Sequence, residues 1–193
     1  MIDMLIGLFI VAYLIGSIPS GFLIARLQGI ADIRDHGSGN IGATNVARVL
    51  GIKYFFIVFF LDFFKAYALL LALSWYGFGP SFLVVASLGL LLGNAFPLFL
   101  QFRGGKGVAT MFGVFMGLQP LLVVYAFICW LLVFILTSTV GLASIVTLLF
   151  VPFCSFFITP HSWWMGCFSA FVAVLGLFLH RNNIKAFLNN PAP

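Results

Sequence analysis

The chain has 193 residues, 63% of them hydrophobic and 7% charged, against roughly 25% charged in soluble domains. A soluble domain this short has no core large enough to hide so much apolar surface, so lipid must be its solvent. Lys plus Arg number 9 and Asp plus Glu 4, with no Glu; the net charge of +5 follows from membrane topology and calls for no nucleic acid.

A spanning helix needs about 20 mostly apolar residues. The first such run, at about 4–25, lacks a basic leader and a small-residue cleavage site, so it reads as a retained span. Within it, Gly16-Ser-Ile-Pro-Ser-Gly21 is a small-residue patch that predicts close helix packing and a kink, with Ser20 able to face a site. A polar island follows, Arg34-Asp-His-Gly-Ser-Gly-Asn-Ile-Gly-Ala-Thr-Asn-Val-Ala-Arg48. Gly37, Gly39 and Gly42 allow close backbone approach to an anion. Ser38, Asn40, Thr44 and Asn45 add neutral donors, and Arg48 adds a planar fork suited to phosphate. If the segment is helical from Ile41 onward, Asn40, Thr44 and Arg48 share one face at i, i+4 and i+8. The competing reading is a solvated loop with a Ser or Asn helix cap.

The second span, at about 54–75, carries Asp62 and Lys65 three residues apart. An ionisable pair inside a membrane is a functional candidate by default, but a structural ion pair accounts for it equally well, so the pair is placed outside the substrate contacts. After a third span at about 81–100 comes Gln101-Phe-Arg-Gly-Gly-Lys-Gly107. This is not a Walker loop, since GxxxxGK[ST] is absent. Its physics is similar: glycine N–H groups and a Lys at the mouth of a helix whose dipole favours anions. A cationic anchor of the membrane edge alone could also explain Arg103 and Lys106, but the short half-helix behind the loop favours a ligand.

The fourth run, 107–118, has about a dozen residues, or roughly 18 Å of helix, before the Gln119-Pro120 break. It predicts a half-helix inside the bundle that aims its N-terminus at a ligand. Runs at about 120–137, 140–158 and 163–180 complete seven. The last places a third island, His180-Arg-Asn-Asn183, at its end, with His180 as a candidate acid, base or phosphate donor. The tail Asn189-Asn-Pro-Ala-Pro193 reads as a short flexible end. Cys129, Cys154 and Cys167 lie in apolar runs without CxxC spacing, which predicts packing roles and neither disulfide nor zinc.

Charge selects the topology. Joining 107–137 into one kinked helix would give six spans and scatter the cations. With seven, the loop cations Arg26, Arg34, Arg48, Lys53, Arg103, Lys106, Arg181 and Lys185 all fall on one face, which is then cytoplasmic. The expectation is an all-α integral membrane protein, one domain over 1–193, with the N-terminus outside and the C-terminus inside. All three islands then share the cytoplasmic face and can converge on one site for a phosphorylated substrate.

Gly16-Ser-Ile-Pro, Gly37-Ser-Gly-Asn-Ile-Gly-Ala-Thr-Asn45 with Arg48, Gly93-Asn-Ala-Phe-Pro97, Phe102-Arg-Gly-Gly-Lys-Gly-Val-Ala-Thr110 and His180-Arg-Asn-Asn-Ile184 closely resemble the acyl-phosphate-dependent glycerol-3-phosphate acyltransferases of bacterial phospholipid synthesis, the PlsY type. The resemblance runs from the first span to the tail, and between the motifs, as over 111–179, it is one of hydrophobicity alone. It implies transfer of a fatty acyl group from acyl phosphate to the sn-1 hydroxyl of glycerol 3-phosphate, giving lysophosphatidic acid and phosphate. It also implies a cell-membrane enzyme with a cytoplasmic site that uses no acyl-CoA or acyl carrier protein directly, with an acyl-phosphate-producing enzyme as a candidate partner. The residues agree. An acyl phosphate carries a good leaving group, so positioning and charge stabilisation matter more than a strong nucleophile.

The expected roles are Lys106 with the Gly104, Gly105 and Gly107 amides on one phosphate, and Ser38, Asn40, Thr44, Asn45 and Arg48 on the other. His180 and Asn183 complete the catalytic set. Which cradle holds which phosphate stays open, and so does the proton acceptor, although a substrate phosphate oxygen is favoured because no carboxylate in the third island fixes the His180 tautomer. No cofactor or metal is expected. A phosphate-ester carrier would need binding groups nearer mid-membrane. A serine protease pairing Ser38 with His180 leaves Arg48 and the Gly-Gly-Lys-Gly loop without a task. A metal-diphosphate transferase needs several Asp on one helix, which Asp32, Asp35 and Asp62 do not provide.

Overall fold

The computed structural model describes residues 1–159 and 162–189. Pro160, His161 and the tail from Asn190, including the end expected to be flexible, lie outside the described residues. The described residues form helices joined by loops: α1 (Ile2–Gly16), α2 (Ser20–Leu27), α3 (Ala43–Leu50), α4 (Ile52–Trp75), α5 (Pro80–Ala95), α6 (Val108–Leu118), α7 (Pro120–Thr137), α8 (Val140–Ile158), α9 (Trp163–Leu179) and α10 (Arg181–Asn189). Ile2–Leu27, Ile52–Trp75, Pro80–Leu100, Pro120–Thr137 and Val140–Ile158 are long and apolar enough to cross a membrane, the first taken across the break between α1 and α2. With 17 residues, α9 passes the same test only jointly with α10, from which it is bent by 59°. The half-helix expected at 107–118 is α6, with 11 residues.

The chain divides into two compact units, Met1–Leu118 and a second beginning at Gln119. In the first, small residues bring backbones together, as they do where lipid supplies no hydrophobic drive between helices. Gly16 of α1 and Gly89 and Gly93 of α5 sit where a Cβ would overlap the facing helix's backbone. Gly113 lets α6 lie on α4 in the same way, against the Phe63 backbone, and Gly117 makes room for the Leu70 side chain. The aromatic ladder of α4 divides by helical period. Phe56, Phe60 and Phe64 point outward, as lipid-facing side chains do, while Phe59 meets Phe112 of α6. A smaller cluster of Ala25, Ile33, Ile41, Val46, Val58 and Leu100 anchors both polar loops of this unit to the helices.

The kink expected at Gly16-Ser-Ile-Pro is a full break. Helix α1 ends at Gly16, Pro19 takes φ −91° and ψ 78°, and α2 restarts at Ser20. Proline has no N–H to continue the ladder, and the residue before it is driven out of the helical region. In the second unit, Trp130 Nε1 of α7 donates to Ser144 of α8 (3.2 Å), and Gly176 of α9 packs on Leu148 of α8.

Candidate active site

The first cradle is built around Asn45. It is 2% exposed, in the first turns of α3, and its amide is spent inside the loop. Oδ1 accepts the Ser38 N–H at 2.7 Å, while Nδ2 donates to the carbonyls of Asn40 (2.8 Å) and His36 (2.9 Å). Gly37, at φ +60°, has no room for a Cβ, which would overlap Asn45 Oδ1. One buried amide on α3 thus ties down three points of the loop backbone, at His36, Ser38 and Asn40, and the loop's shape depends on it. The helix starts later than expected: Gly42 is the N-cap of α3 and carries no side-chain cap. Asn40 therefore lies outside the helix and does not share a helical face with Thr44 and Arg48. Its Oδ1 instead accepts the Gly42 N–H at 2.8 Å, the local turn to which Asn is suited. Thr44 and Arg48 remain four apart on α3. Upstream, Arg34 grips the Asp32 carboxylate with Nε at 2.9 and 3.0 Å and with Nη2 at 2.5 Å, which holds the Asp32 carboxyl below its usual range.

The second cradle hangs from the end of α5. Gln101 and Phe102 both take left-handed backbone, at φ 54° and 61°, a strained turn of the sort found beside functional sites. The Phe102 N–H is held by the Pro97 carbonyl at 2.9 Å and the Gly105 N–H by the Asn94 carbonyl at 3.1 Å. Gly104 is wedged against the carbonyls of Asn94 and Ala95 and the ring of Pro97. Gly107, at φ +75°, then turns the chain into α6, and its carbonyl accepts the first helical bond, from Met111 at 2.7 Å. The first-turn N–H groups of a helix have no acceptors within it and face anions.

The two loops meet. A Cβ at Gly105 would lie 3.5 Å from Ile41 Cγ1 and 3.8 Å from Asn40 Oδ1. Burial, and after it the nearby charge of Arg48, lower the Lys106 pKa from its ordinary 10.5. Arg48 has no ion pair among the described residues. Two like charges held close together beside glycine backbone make a site that an anion relieves. The first unit therefore brings Ser38, Asn40, Thr44, Asn45, Arg48, Gly104, Gly105, Lys106 and Gly107 into one neighbourhood.

His180 and Asn183 belong to the second unit. His180 caps α9, is 2% exposed, and sets Nδ1 2.8 Å from the Gly176 carbonyl. A carbonyl only accepts, so Nδ1 carries a proton. No carboxylate of the third island fixes this tautomer, as expected; the Gly176 backbone carbonyl does so instead. Asn183 lies in α10, whose existence the sequence reading missed, and Gly141 of α8 packs against its side-chain amide.

Three further features escaped the sequence reading. Asn94, 7% exposed, touches the second loop through both main chain and side chain. Lys65 and Asp62 pair as expected (2.7 Å), but Lys65 also reaches Asn94. Thr110, in the first turn of α6, is fully buried with no hydrogen bond to its hydroxyl among the described residues. The Gly93-Asn-Ala-Phe-Pro97 motif was the available signal for Asn94.

Multiple apolar helices define a multi-pass membrane protein, and its glycine-lined cationic loops are the candidate site. The profile of the family described as Glycerol-3-phosphate acyltransferase matches residues 6–190, and the chain belongs to that family. Glycerol-3-phosphate acyltransferase of Aquifex aeolicus is 41% identical over 94% of each chain. That of Bacillus subtilis is 38% identical over 98% of this chain and 97% of its own. Two crystal structures of PlsY, an integral membrane glycerol 3-phosphate acyltransferase, are similar in fold. The glycerol 3-phosphate form superposes with a TM-score of 0.89 at 38% identity, covering 98% of this chain and 94% of that one. The lysophosphatidic acid form gives 0.87 at 37% identity, with the same coverage.

Proposed function

We propose that this glycerol-3-phosphate acyltransferase takes its acyl group from acyl phosphate and delivers it to the sn-1 hydroxyl of glycerol 3-phosphate. The hydroxyl oxygen attacks the acyl carbonyl carbon, and the bond from that carbon to the phosphate oxygen breaks. Phosphate leaves, and the hydroxyl proton passes to a phosphate oxygen or to Nε2 of His180. The products are lysophosphatidic acid and inorganic phosphate. Residues 1–193 act as one domain with seven membrane crossings, the N-terminus outside and the active site on the cytoplasmic face of the bacterial cell membrane. The one-sided distribution of loop cations supports that orientation.

The observation that carries the reading is the approach of two cationic, glycine-rich loops, with Lys106 buried close enough to Arg48 to feel its charge. A reaction between two phosphorylated molecules needs such a pair of cradles. Lys106 and the amides of Gly104, Gly105 and Gly107 hold one phosphate; Arg48, Ser38, Asn40 and Thr44 hold the other. Asn45 acts from behind, as the tether of the first loop, because its amide is already occupied. His180 and Asn183 keep catalytic roles; the fixed tautomer of His180 supports this. The enzyme that makes the acyl phosphate is the natural partner, since mixed anhydrides hydrolyse if left in water.

The test is phosphate release by purified, detergent-solubilised protein given palmitoyl phosphate, with and without glycerol 3-phosphate. Release that depends on the acceptor, with lysophosphatidic acid formed in equal amount, is expected. Folded protein that releases none would overturn the choice of donor.

The pH dependence follows from Lys106. Its folded pKa lies below the ordinary 10.5, and phosphate binding needs the ammonium. Activity is therefore expected to fall as pH rises through that lowered value, earlier than an ordinary lysine would allow. Lys106→Arg, which does not titrate there, should move the limb upward in a kcat/KM profile. Stability of the substrate-free protein runs the other way. The unfolded chain binds the extra proton between the two pKa values, so stability rises with pH across that window.

A further inference from the structure

Lys65 sits inside a membrane-spanning helix and remote in sequence from both cradles, yet it is connected to one of them. The break at Ser17-Ile18-Pro19 diverts the Ser20 N–H to the Ile18 carbonyl, so the Gly16 carbonyl loses its helical donor. Lys65 Nζ fills the gap, donating to the carbonyls of Gly16 (3.1 Å) and Ile18 (3.0 Å). It is paired with Asp62 Oδ1 at 2.7 Å, and that oxygen also accepts the Ser20 hydroxyl at 2.8 Å. Structural duty alone would end there. It does not, because Asn94 Oδ1 lies 3.0 Å from Nζ as a fourth acceptor, so that the three N–H groups are shared among four oxygens.

That bond decides which way the Asn94 amide faces. An ammonium has only donors, so it takes the oxygen and turns the NH2 group away. Nδ2 is thereby directed at the phosphate loop: Cβ positions at Gly107 and Gly105 would lie 3.5 and 3.6 Å from it. The Asn94 carbonyl meanwhile holds the Gly105 N–H. Asn94 grips the loop with its main chain and presents donors to it with its side chain, and Lys65 fixes the second of these.

We propose that Lys65 is a positioning residue for phosphate binding, acting through Asn94 on the Gly105–Gly107 loop, with Asp62 and Ser20 holding its ammonium in place. The inference rests on the loop's role in substrate binding given above. A charge-assisted hydrogen bond that orients a donor makes a difference of ~10-fold or more when it is lost. A merely structural ion pair would alter the amount of folded protein and leave the affinity of the folded fraction unchanged.

The experiment compares Lys65→Met, Asn94→Asp and the double variant with the parent enzyme. The readouts are KM for each substrate, Kd for radiolabelled glycerol 3-phosphate and for inorganic phosphate by equilibrium dialysis, and Tm. Asn94→Asp guards against Lys65→Met failing to fold. It keeps an oxygen for Lys65 but replaces the NH2 facing the loop with a carboxylate oxygen. Both single variants are expected to raise the KM or Kd of one phosphorylated species ~10-fold or more, and the double variant to cost less than the product of the two. Unchanged KM and Kd in folded Asn94→Asp, or strictly multiplicative effects in the double variant, would overturn the proposal. The dialysis arm keeps the two readings apart: parent protein that binds phosphate but fails to release it from palmitoyl phosphate rejects the donor assignment, while the variants' Kd values still decide the role of Lys65.

Discussion

Lys106→Ala is expected to lower kcat/KM for acyl transfer by ~10²–10³, the scale on which a single preorganised charge at a reacting group acts. The reason lies in where the ammonium sits. It is half-buried beside Arg48, so its environment works against the charged form, and a phosphate bound there would favour it. Thermal unfolding and initial rates are measured on the same preparation, so that a loss of rate is read only from folded protein. A stable variant with full activity would remove the Gly-Gly-Lys-Gly loop from the site.

Gly104→Ala should be the more damaging change to the protein itself. The added Cβ would overlap the carbonyl oxygens of Asn94 and Ala95 and Cδ of Pro97, none of which is the free end of a flexible side chain. Overpacking of this kind costs about 1–3 kcal/mol. Relief can come only by pushing the loop off the end of α5, and misplacing a binding group by about 1 Å can cost ~10²-fold in rate. Gly105→Ala provides the contrast. Its Cβ would meet nothing nearer than 3.5 Å, so folding should be unaffected, and any loss should appear as a raised KM from a methyl group standing where phosphate approaches the backbone. Tm and KM measured for both variants test the distinction. Equal Tm losses at the two glycines would contradict it.

Much of this protein was legible without coordinates because lipid imposes simple rules. A helix surrounded by hydrocarbon must satisfy its own backbone, so apolar runs announce helices, and the break at Gln119-Pro120 separated α6 from α7 as read. Glycine-rich polar islands stood out for the same reason, since nothing else in such a chain needs them. Local order set the limits. The sequence could place Pro19 in a span but not decide between a kink and a break, nor see that helix α3 begins at Ala43 rather than at Ile41. Both depend on which acceptor a freed N–H finds.

What the sequence by itself determined is a membrane-embedded helical protein whose chemically capable residues sit in a few short segments, because hydropathy and glycine content are properties of the chain alone. Only the tertiary structure decided which of those side chains are used up in holding the loops and which way the others are turned. Asn40, Asn45 and Asn94 are the same side chain in sequence, yet one makes a local turn, one is consumed as a buried tether, and one is turned toward the phosphate loop by a lysine 29 residues away. An amide has two ends of opposite character, and which end faces the site is fixed by partners distant in sequence.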